Sequence, residues 1–367
     1  MAGILYVILM ILTGRELVNV FLPPENQSGG RRGSRFLVVL VGAFGVGALT
    51  YGWGTYMLSW VASTLGAGKP LFWGNLVMMS LGTGILVFLY GKRYKKNHQR
   101  LKETSMKELL RSSGFSQISG KEKIFFGILL VFITWIMFYV FYVYKDALYM
   151  GYTVYGDYAP HTAMMRSFSR ENNFPTEYPH FGGQDVKYHF MFQFLTGNLE
   201  YLGLRIDLAY NLLSILALWG FLVLLYLLAV RVTDSRKAGA LGIFLFFFRS
   251  GTAFFQFLWE HIHAGDLIET LKANTSFIGY TTNENWGLWN FNVYLNQRHL
   301  AFGLLLVTLV FWFYMDWIEA GASHPERGLL WIRNRFLTKE AWKVRNPESA
   351  LLAGMFLGLA AFWNGAA

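Results

Sequence analysis

Apolar stretches of the length that crosses a lipid bilayer recur from one end of this chain to the other. A helix needs roughly 20 predominantly apolar residues to span the hydrocarbon core of a membrane. The pattern therefore predicts an all-α polytopic membrane protein. We expect about eight transmembrane helices, at Met1–Leu22, Phe36–Ala62, Leu71–Tyr90, Ile124–Val143, Leu208–Val230, Ala238–Leu258, Leu300–Ile318 and Leu351–Trp363.

Composition agrees with a membrane location. Charged residues make up 15% of the chain and hydrophobic residues 54%, whereas a soluble domain carries roughly 25% charged residues. The net charge is +10, but the basic residues lie in short loops between apolar stretches. That distribution is typical of membrane topology and argues against a nucleic-acid partner. Cysteine is absent, which excludes disulfides, thiolate catalysis and cysteine-ligated metals.

The basic residues also predict an orientation in the membrane. Residues 92–123 carry ten Lys or Arg against three Glu, so the positive-inside rule places this segment in the cytoplasm. Alternation of the spans puts the other basic clusters on the same side and the loops 144–207 and 259–299 on the outer side. Six of the eight histidines fall on that outer side, namely His161, His180, His189, His261, His263 and His299. We expect a multi-pass protein of the cell membrane with an extracytoplasmic active face.

Three segments are expected along the chain. Residues 1–91 form N-terminal transmembrane helices, whose glycine-rich faces suit close helix packing. Residues 92–123 form a basic cytoplasmic linker, and residues 124–367 form the catalytic transmembrane core. The last apolar stretch ends at Trp363 with no polar flank before Ala367, which predicts that the core is C-terminally incomplete.

The loop between the fourth and fifth spans holds a dense group of ionisable residues. Asp157 and His161 lie four residues apart, and Pro160 between them is suited to the first turn of a helix. A carboxylate and an imidazole at the start of an interface helix suit general base catalysis on a hydroxyl or coordination of a divalent metal ion. The alternative interpretation is that Asp157 only caps the helix.

Two arginines are candidates for binding a phosphate. Arg249 interrupts the sixth span, where a charge costs about 2.5–3.5 kcal/mol, so a paired or functional role is expected unless its side chain extends to the surface. Arg298 lies at the outer start of the seventh span, and its planar fork suits a phosphate, the alternative being an interfacial anchor. Candidate substrate-binding residues are Arg166, His180, Asp185, Lys187, Tyr188, His189, Gln297 and His299.

The segment from about Lys123 to Trp317 resembles the membrane-embedded glycosyltransferases of the GT-C superfamily, which include protein O-mannosyltransferases and the lipid A aminoarabinose transferase. The likeness is one of layout: a span, an outer loop with an essential Asp and two interface helices, and a second span. Here Ile124–Val143 and Leu208–Val230 match the two spans and Asp157 matches the loop Asp. The interface helices correspond to His161–Phe168 and Lys187–Leu199.

The resemblance implies transfer of a sugar from a polyprenyl-phosphate donor to a lipid, glycan or protein acceptor, with inversion at the sugar. Asp157 would be the general base, and Arg298 with Arg249 would hold the leaving phosphate. His161 and His189 would orient the acceptor or bind a divalent metal such as Mg²⁺ or Mn²⁺, with Asp157 and His161 as candidate ligands. Two other hypotheses are a transporter or flippase for a lipid-linked substrate and a non-catalytic partner in cell-envelope assembly.

Overall fold

A computed structural model of the chain describes residues 1–22, 32–103, 114–151, 156–247, 253–273, 291–322, 326–340 and 347–365. The α-helices are α1 (Ala2–Phe21), α2 (Arg32–Thr64), α3 (Pro70–Glu103), α4 (Gly120–Val140), α5 (Tyr158–Glu171), α6 (Met191–Tyr201), α7 (Ile206–Thr233), α8 (Arg236–Phe247), α9 (Ala253–Ala264), α10 (Leu267–Ala273), α11 (Phe291–Asn296), α12 (Arg298–Ala322), α13 (Leu329–Ile332) and α14 (Pro347–Ala360). A 3₁₀ turn covers Gly114–Gln117, a π turn covers Arg333–Leu337, and two strands, β1 (Phe141–Tyr144) and β2 (Ala147–Met150), form a hairpin.

The helices confirm an all-α membrane protein. Within the described residues, six helices are long and apolar enough to cross a bilayer. They lie at Ala2–Val20, Arg35–Thr64, Pro70–Lys95, Gly120–Val140, Ile206–Thr233 and Arg298–Met315. The two other predicted spans correspond to shorter helices. The predicted sixth span, Ala238–Leu258, covers most of the 12-residue α8 and the start of α9, with residues 248–252 outside the described part, and the predicted eighth span corresponds to the 14-residue α14.

Helices α1 and α2 cross so closely that their backbones touch. A Cβ atom at Gly14 would overlap the carbonyl oxygen of Ala43, and one at Gly47 would overlap the carbonyl oxygen of Met10. Only glycine permits this approach, which is the small-residue packing expected between membrane helices. The glycine-rich face predicted for the N-terminal helices is therefore used for packing, in part against α1.

The β-hairpin replaces the end of the predicted fourth span. Helix α4 ends at Val140, and the antiparallel strands that follow pair Phe141 with Met150. The turn residues Lys145 and Asp146 both have positive φ, 45° and 61°, as a two-residue type I′ hairpin turn requires. The sequence prediction of helix up to Val143 was wrong because the hydropathy of the strand continues that of the helix. Hydropathy does not distinguish the two.

Helices α5 and α6 correspond to the two predicted interface helices, but they differ in burial. Helix α5 is amphipathic, with His161, Met165 and Phe168 on its buried side. Helix α6 is buried on every face from Met191 to Leu199. It is therefore an interior helix rather than one with a lipid-facing side.

The N-terminal helices belong to the same hydrophobic core as the later ones. Asn75 of α3 and Asn198 of α6 are buried and exchange two side-chain hydrogen bonds, at 2.6 and 3.0 Å. The Ser63 hydroxyl donates to the carbonyl oxygen of Phe174 at 2.8 Å. The segment predicted as residues 1–91 therefore supports the loop that carries Asp157 and its neighbours.

Candidate functional site

Asp157 immediately precedes α5, but its side chain makes no capping hydrogen bond. Its carboxylate accepts a hydrogen bond from the Asn296 amide at 2.8 Å and another from the Gln297 amide. These amides come from the end of α11 and the residue after it, 139 and 140 positions along the chain. The interpretation of Asp157 as a helix cap is therefore wrong, and the carboxylate is oriented by a distant element.

His161 lies one turn into α5 and is buried, with 6% of its surface exposed. Its backbone N–H donates to the carbonyl oxygen of Asp157 at 3.1 Å, which confirms the predicted helical spacing of the two residues. Burial lowers the pKa of His161 to about 4, although the Asp157 carboxylate acts in the opposite direction. The imidazole is therefore neutral at physiological pH.

Two further imidazoles join His161, from the segment before α6 and the start of α12. The ring of His299 meets that of His161 edge-on with 5.0 Å between centroids, and that of His189 at 4.3 Å. Tyr188 covers His189 with its ring 3.7 Å away. Burial lowers the pKa of His189 to about 4, with a smaller contribution from His161. We call His161, His189 and His299 the histidine cluster.

Several buried polar atoms of this region have no hydrogen-bond partner among the described residues. They are Nδ1 of His161, Nε2 of His189, both ring nitrogens of His299 and Oδ1 of Asn296. Buried polar groups are nearly always paired, because leaving one unpaired costs about 1–3 kcal/mol. Convergent unpaired donors and acceptors are therefore a feature of a binding site rather than of a packed core.

Arg298 directly precedes His299 in the chain and is fully buried, with 0% of its surface exposed. Its guanidinium carbon lies over the rings of Tyr210, Phe141 and Tyr158, at 4.6, 5.3 and 5.6 Å from their centroids. Its nitrogens donate to the carbonyl oxygens of Leu295, at 3.0 Å, and Met137, at 3.3 Å, and to the side-chain oxygen of Asn211.

Among the described residues, no carboxylate lies within ion-pair distance of Arg298. Arg298 was predicted to lie at the level of the lipid headgroups, but it is buried inside the protein. In this conformation its guanidinium does not reach the surface, so it does not contact a phosphate there directly. It remains a positive charge within the protein, next along the chain to the Gln297 that holds Asp157.

The arginine is tied to the hairpin through α7. Asn211 accepts from Arg298 and donates its own amide to the carbonyl oxygen of Phe141 at 2.8 Å. One turn earlier, the buried Asp207 accepts from the backbone N–H of Val143 at 3.0 Å and pairs with Arg205 through two hydrogen bonds, at 2.6 and 2.8 Å. The hairpin therefore positions Arg298 as well as covering it.

Four of the predicted substrate-binding residues lie apart from the cluster. Arg166 is directed to Glu200 of α6, with 3.5 Å between their charged atoms. His180, Asp185 and Lys187 are exposed on the segment between α5 and α6. Arg249 lies outside the described residues. The other predicted substrate-binding residues lie at the site. Tyr188, His189 and His299 are in ring contact, and Gln297 is bonded to Asp157.

Asn296 and Asn211 were not among the predicted site residues. A signal for Asn211 was present, because a polar residue within an apolar span requires a buried partner. Asn296 was marked only by its position beside Gln297. Its pairing with Asp157 depends on how α11 packs against α5, which periodicity does not encode.

Asp157 and His161 were also candidate ligands for a divalent metal ion. Among the described residues, no group of three or more His, Asp or Glu side chains is arranged to hold a metal ion.

Together these features define an all-α membrane protein with a polar cluster where α5, α6, α11 and α12 meet. No protein-family model matches the chain, and neither curated proteins nor solved structures provide a match.

Proposed function

We propose that this protein is a membrane glycosyltransferase that moves a sugar from a polyprenyl-phosphate donor to an acceptor hydroxyl at the extracytoplasmic face. The observation that carries the proposal is the carboxylate of Asp157, which two amides hold near the neutral imidazole of His161, itself in ring contact with His299. A fixed carboxylate among unpaired hydrogen-bonding groups suits the removal of a proton from a bound hydroxyl. The layout of the chain resembles that of the GT-C superfamily in the same region.

In this mechanism the Asp157 carboxylate takes the proton of the acceptor hydroxyl. The acceptor oxygen attacks C1 of the donor sugar from the side opposite the phosphate, and the C1–O bond to the phosphate breaks. The polyprenyl phosphate departs with the electron pair, so the configuration at C1 is inverted. Asn296 and Gln297 hold the Asp157 carboxylate in place, because both donate to the same carboxylate oxygen.

Arg298 supplies the charge that this reaction needs. The leaving phosphate gains negative charge as the bond breaks, and a cation in a water-poor environment stabilises such charge strongly. The guanidinium is held by three aromatic rings and three oxygen acceptors, and no described carboxylate neutralises it. It therefore acts through its field, without direct contact in this conformation.

The proposal is tested with the full chain reconstituted in lipid vesicles, given polyprenyl-phosphate sugars and uncharged glycan, lipid and peptide acceptors. We expect transfer by the wild type and a loss of about 10²–10⁴-fold in Asp157→Asn, the range typical of a general base. Asp185→Asn is the matched control, because Asp185 is exposed outside the cluster. Equal transfer by Asp157→Asn and the wild type would remove Asp157 as the base, and absence of transfer by the wild type would refute the proposed reaction.

A further inference from the structure

The histidine cluster has more hydrogen-bonding capacity than the reaction assigned to Asp157 requires. Three elements distant in sequence deliver its imidazoles, and four ring nitrogens lack partners among the described residues. His299 carries two of these nitrogens with only 1% of its surface exposed. A buried side chain with both donor and acceptor unused indicates that a ligand completes it.

The charges around the cluster restrict the ligand. Asp157 places a carboxylate near His161, and it raises the pKa of Tyr188 in addition to the effect of burial. The guanidinium of Arg298 is buried and already has oxygen acceptors for its nitrogens. An anionic group entering the cluster would be repelled by the Asp157 carboxylate, and the buried guanidinium, oriented toward its own acceptors, would act on it only through its field.

The hydrogen-bonding pattern further restricts it. A neutral imidazole offers one donor and one acceptor, and a hydroxyl is complementary to both. Asn296 adds a carbonyl oxygen that no described residue pairs with, and Tyr188, 44% exposed, presents an apolar ring at the edge of the cluster. Several hydroxyls around an apolar carbon skeleton match this combination.

We infer that the histidine cluster is the acceptor subsite and that it binds an uncharged sugar through its ring hydroxyls. This inference rests on the proposed glycosyltransferase function and names the class of its acceptor. His299 donates to one hydroxyl and accepts from the next, while His161 and His189 bind those on either side. The hydroxyl nearest Asp157 is the one that loses its proton.

The test is direct binding to the detergent-purified full chain in the absence of any donor, so no transfer is involved. Saturation-transfer NMR with the methyl glycosides of glucose, galactose and mannose measures weak binding. We expect at least one glycoside to bind to the wild type with millimolar affinity. His299→Phe, which preserves ring volume but removes both nitrogens, should weaken binding at least about tenfold. His299→Gln, which keeps a donor and an acceptor, should restore most of it.

His180→Phe is the matched control, because His180 is exposed outside the cluster, and it should bind as the wild type does. If His299→Phe does not fold, His189→Phe replaces it. Binding that is absent for every glycoside, or unchanged by the cluster substitutions, would overturn the inference. The same holds if inorganic phosphate or ZnCl₂ binds through His299 in place of a glycoside. Glycoside binding without transfer would instead refute only the proposed reaction.

Discussion

The side-chain amide of Asn296 donates to the carboxylate of Asp157 at 2.8 Å. This contact joins the loop after the hairpin to the end of α11, two parts of the chain separated by helices α5 to α10. Asn296 is buried, and its side-chain carbonyl oxygen has no partner within the described part of the chain, so the hydrogen bond to Asp157 is what orients the amide. Asn296 is therefore a positioning residue for the base.

Replacement of Asn296 tests that role. We expect Asn296→Leu to lower kcat for sugar transfer about tenfold, because the loss of one charge-assisted hydrogen bond costs about 1.5–3 kcal/mol. Asn296→Gln should recover part of the rate. Gln184→Leu, an exposed amide on the segment before α6, is the control. A fall in thermal stability with an unchanged kcat would show that Asn296 has only a structural role.

The pair Asn75 and Asn198 predicts non-additive stability. Asn75→Leu or Asn198→Leu alone leaves the partner amide buried and unpaired, which should cost about 1–3 kcal/mol. The double substitution removes both polar groups and should cost less than the sum of the two single changes. Thermal unfolding in detergent measures all four proteins. Strict additivity would mean that the two amides do not depend on each other.

The histidines predict a loss of stability in acid. The pKa values of His161 and His189 fall from the ordinary 6.5 to about 4 in the folded protein. Between pH 6.5 and 4 the unfolded state therefore binds more protons than the folded state, so the free energy of unfolding decreases as the pH falls. Above pH 6.5 these two groups add no pH dependence.

A pH series of melting temperatures measures this effect. His161→Phe combined with His189→Phe should flatten the decline between pH 6.5 and 4, whereas His180→Phe should not change it. If the double variant declines as steeply as the wild type, other groups cause the acid sensitivity.

The hairpin turn predicts a stabilising change. Lys145 and Asp146 both have positive φ, which costs about 1–2 kcal/mol for residues with a side chain. Lys145→Asn with Asp146→Gly matches the preferred type I′ turn and should raise the free energy of unfolding by about 1–2 kcal/mol. Lys145→Val should lower it, because β-branched residues do not tolerate this conformation. A lower melting temperature for the Asn-Gly variant would contradict the assigned turn geometry.

Hydropathy predicted most of the spans because a helix needs roughly 20 mainly apolar residues to cross the hydrocarbon core. The helical spacing of Asp157 and His161 was also predictable, because Pro160 marks the first turn of α5. By contrast, the burial of Arg298 was not predictable from its position at the end of a span. An arginine there has the same hydropathy signature whether it faces headgroups or a cage of aromatic rings.

The histidine cluster could be predicted only as a set of residues sharing one side of the membrane. Its three rings belong to α5, the segment before α6 and α12, and only packing brings the rings of His161 and His189 to 5.0 and 4.3 Å from that of His299. Nothing in the sequence separates His189, which joins the cluster, from His180, which stacks on Tyr178 at 5.5 Å. Both histidines are followed by a phenylalanine and lie outside regular helices, so their local patterns are alike.

Backbone hydrogen bonds with Gly3 and Phe362, which lie far apart in sequence, hold the two ends of helix α6. The backbone N–H of Gly3 donates to Leu202 just past its end, and the carbonyl oxygen of Phe362 accepts from Met191 at its start. Nearby, the N–H of Gly365 donates to His189 at 3.4 Å. During biosynthesis, Asp157 and the histidines emerge long before Phe362 does. The hydrogen bond that fixes the start of α6 would therefore form only after the chain beyond α14 has been made.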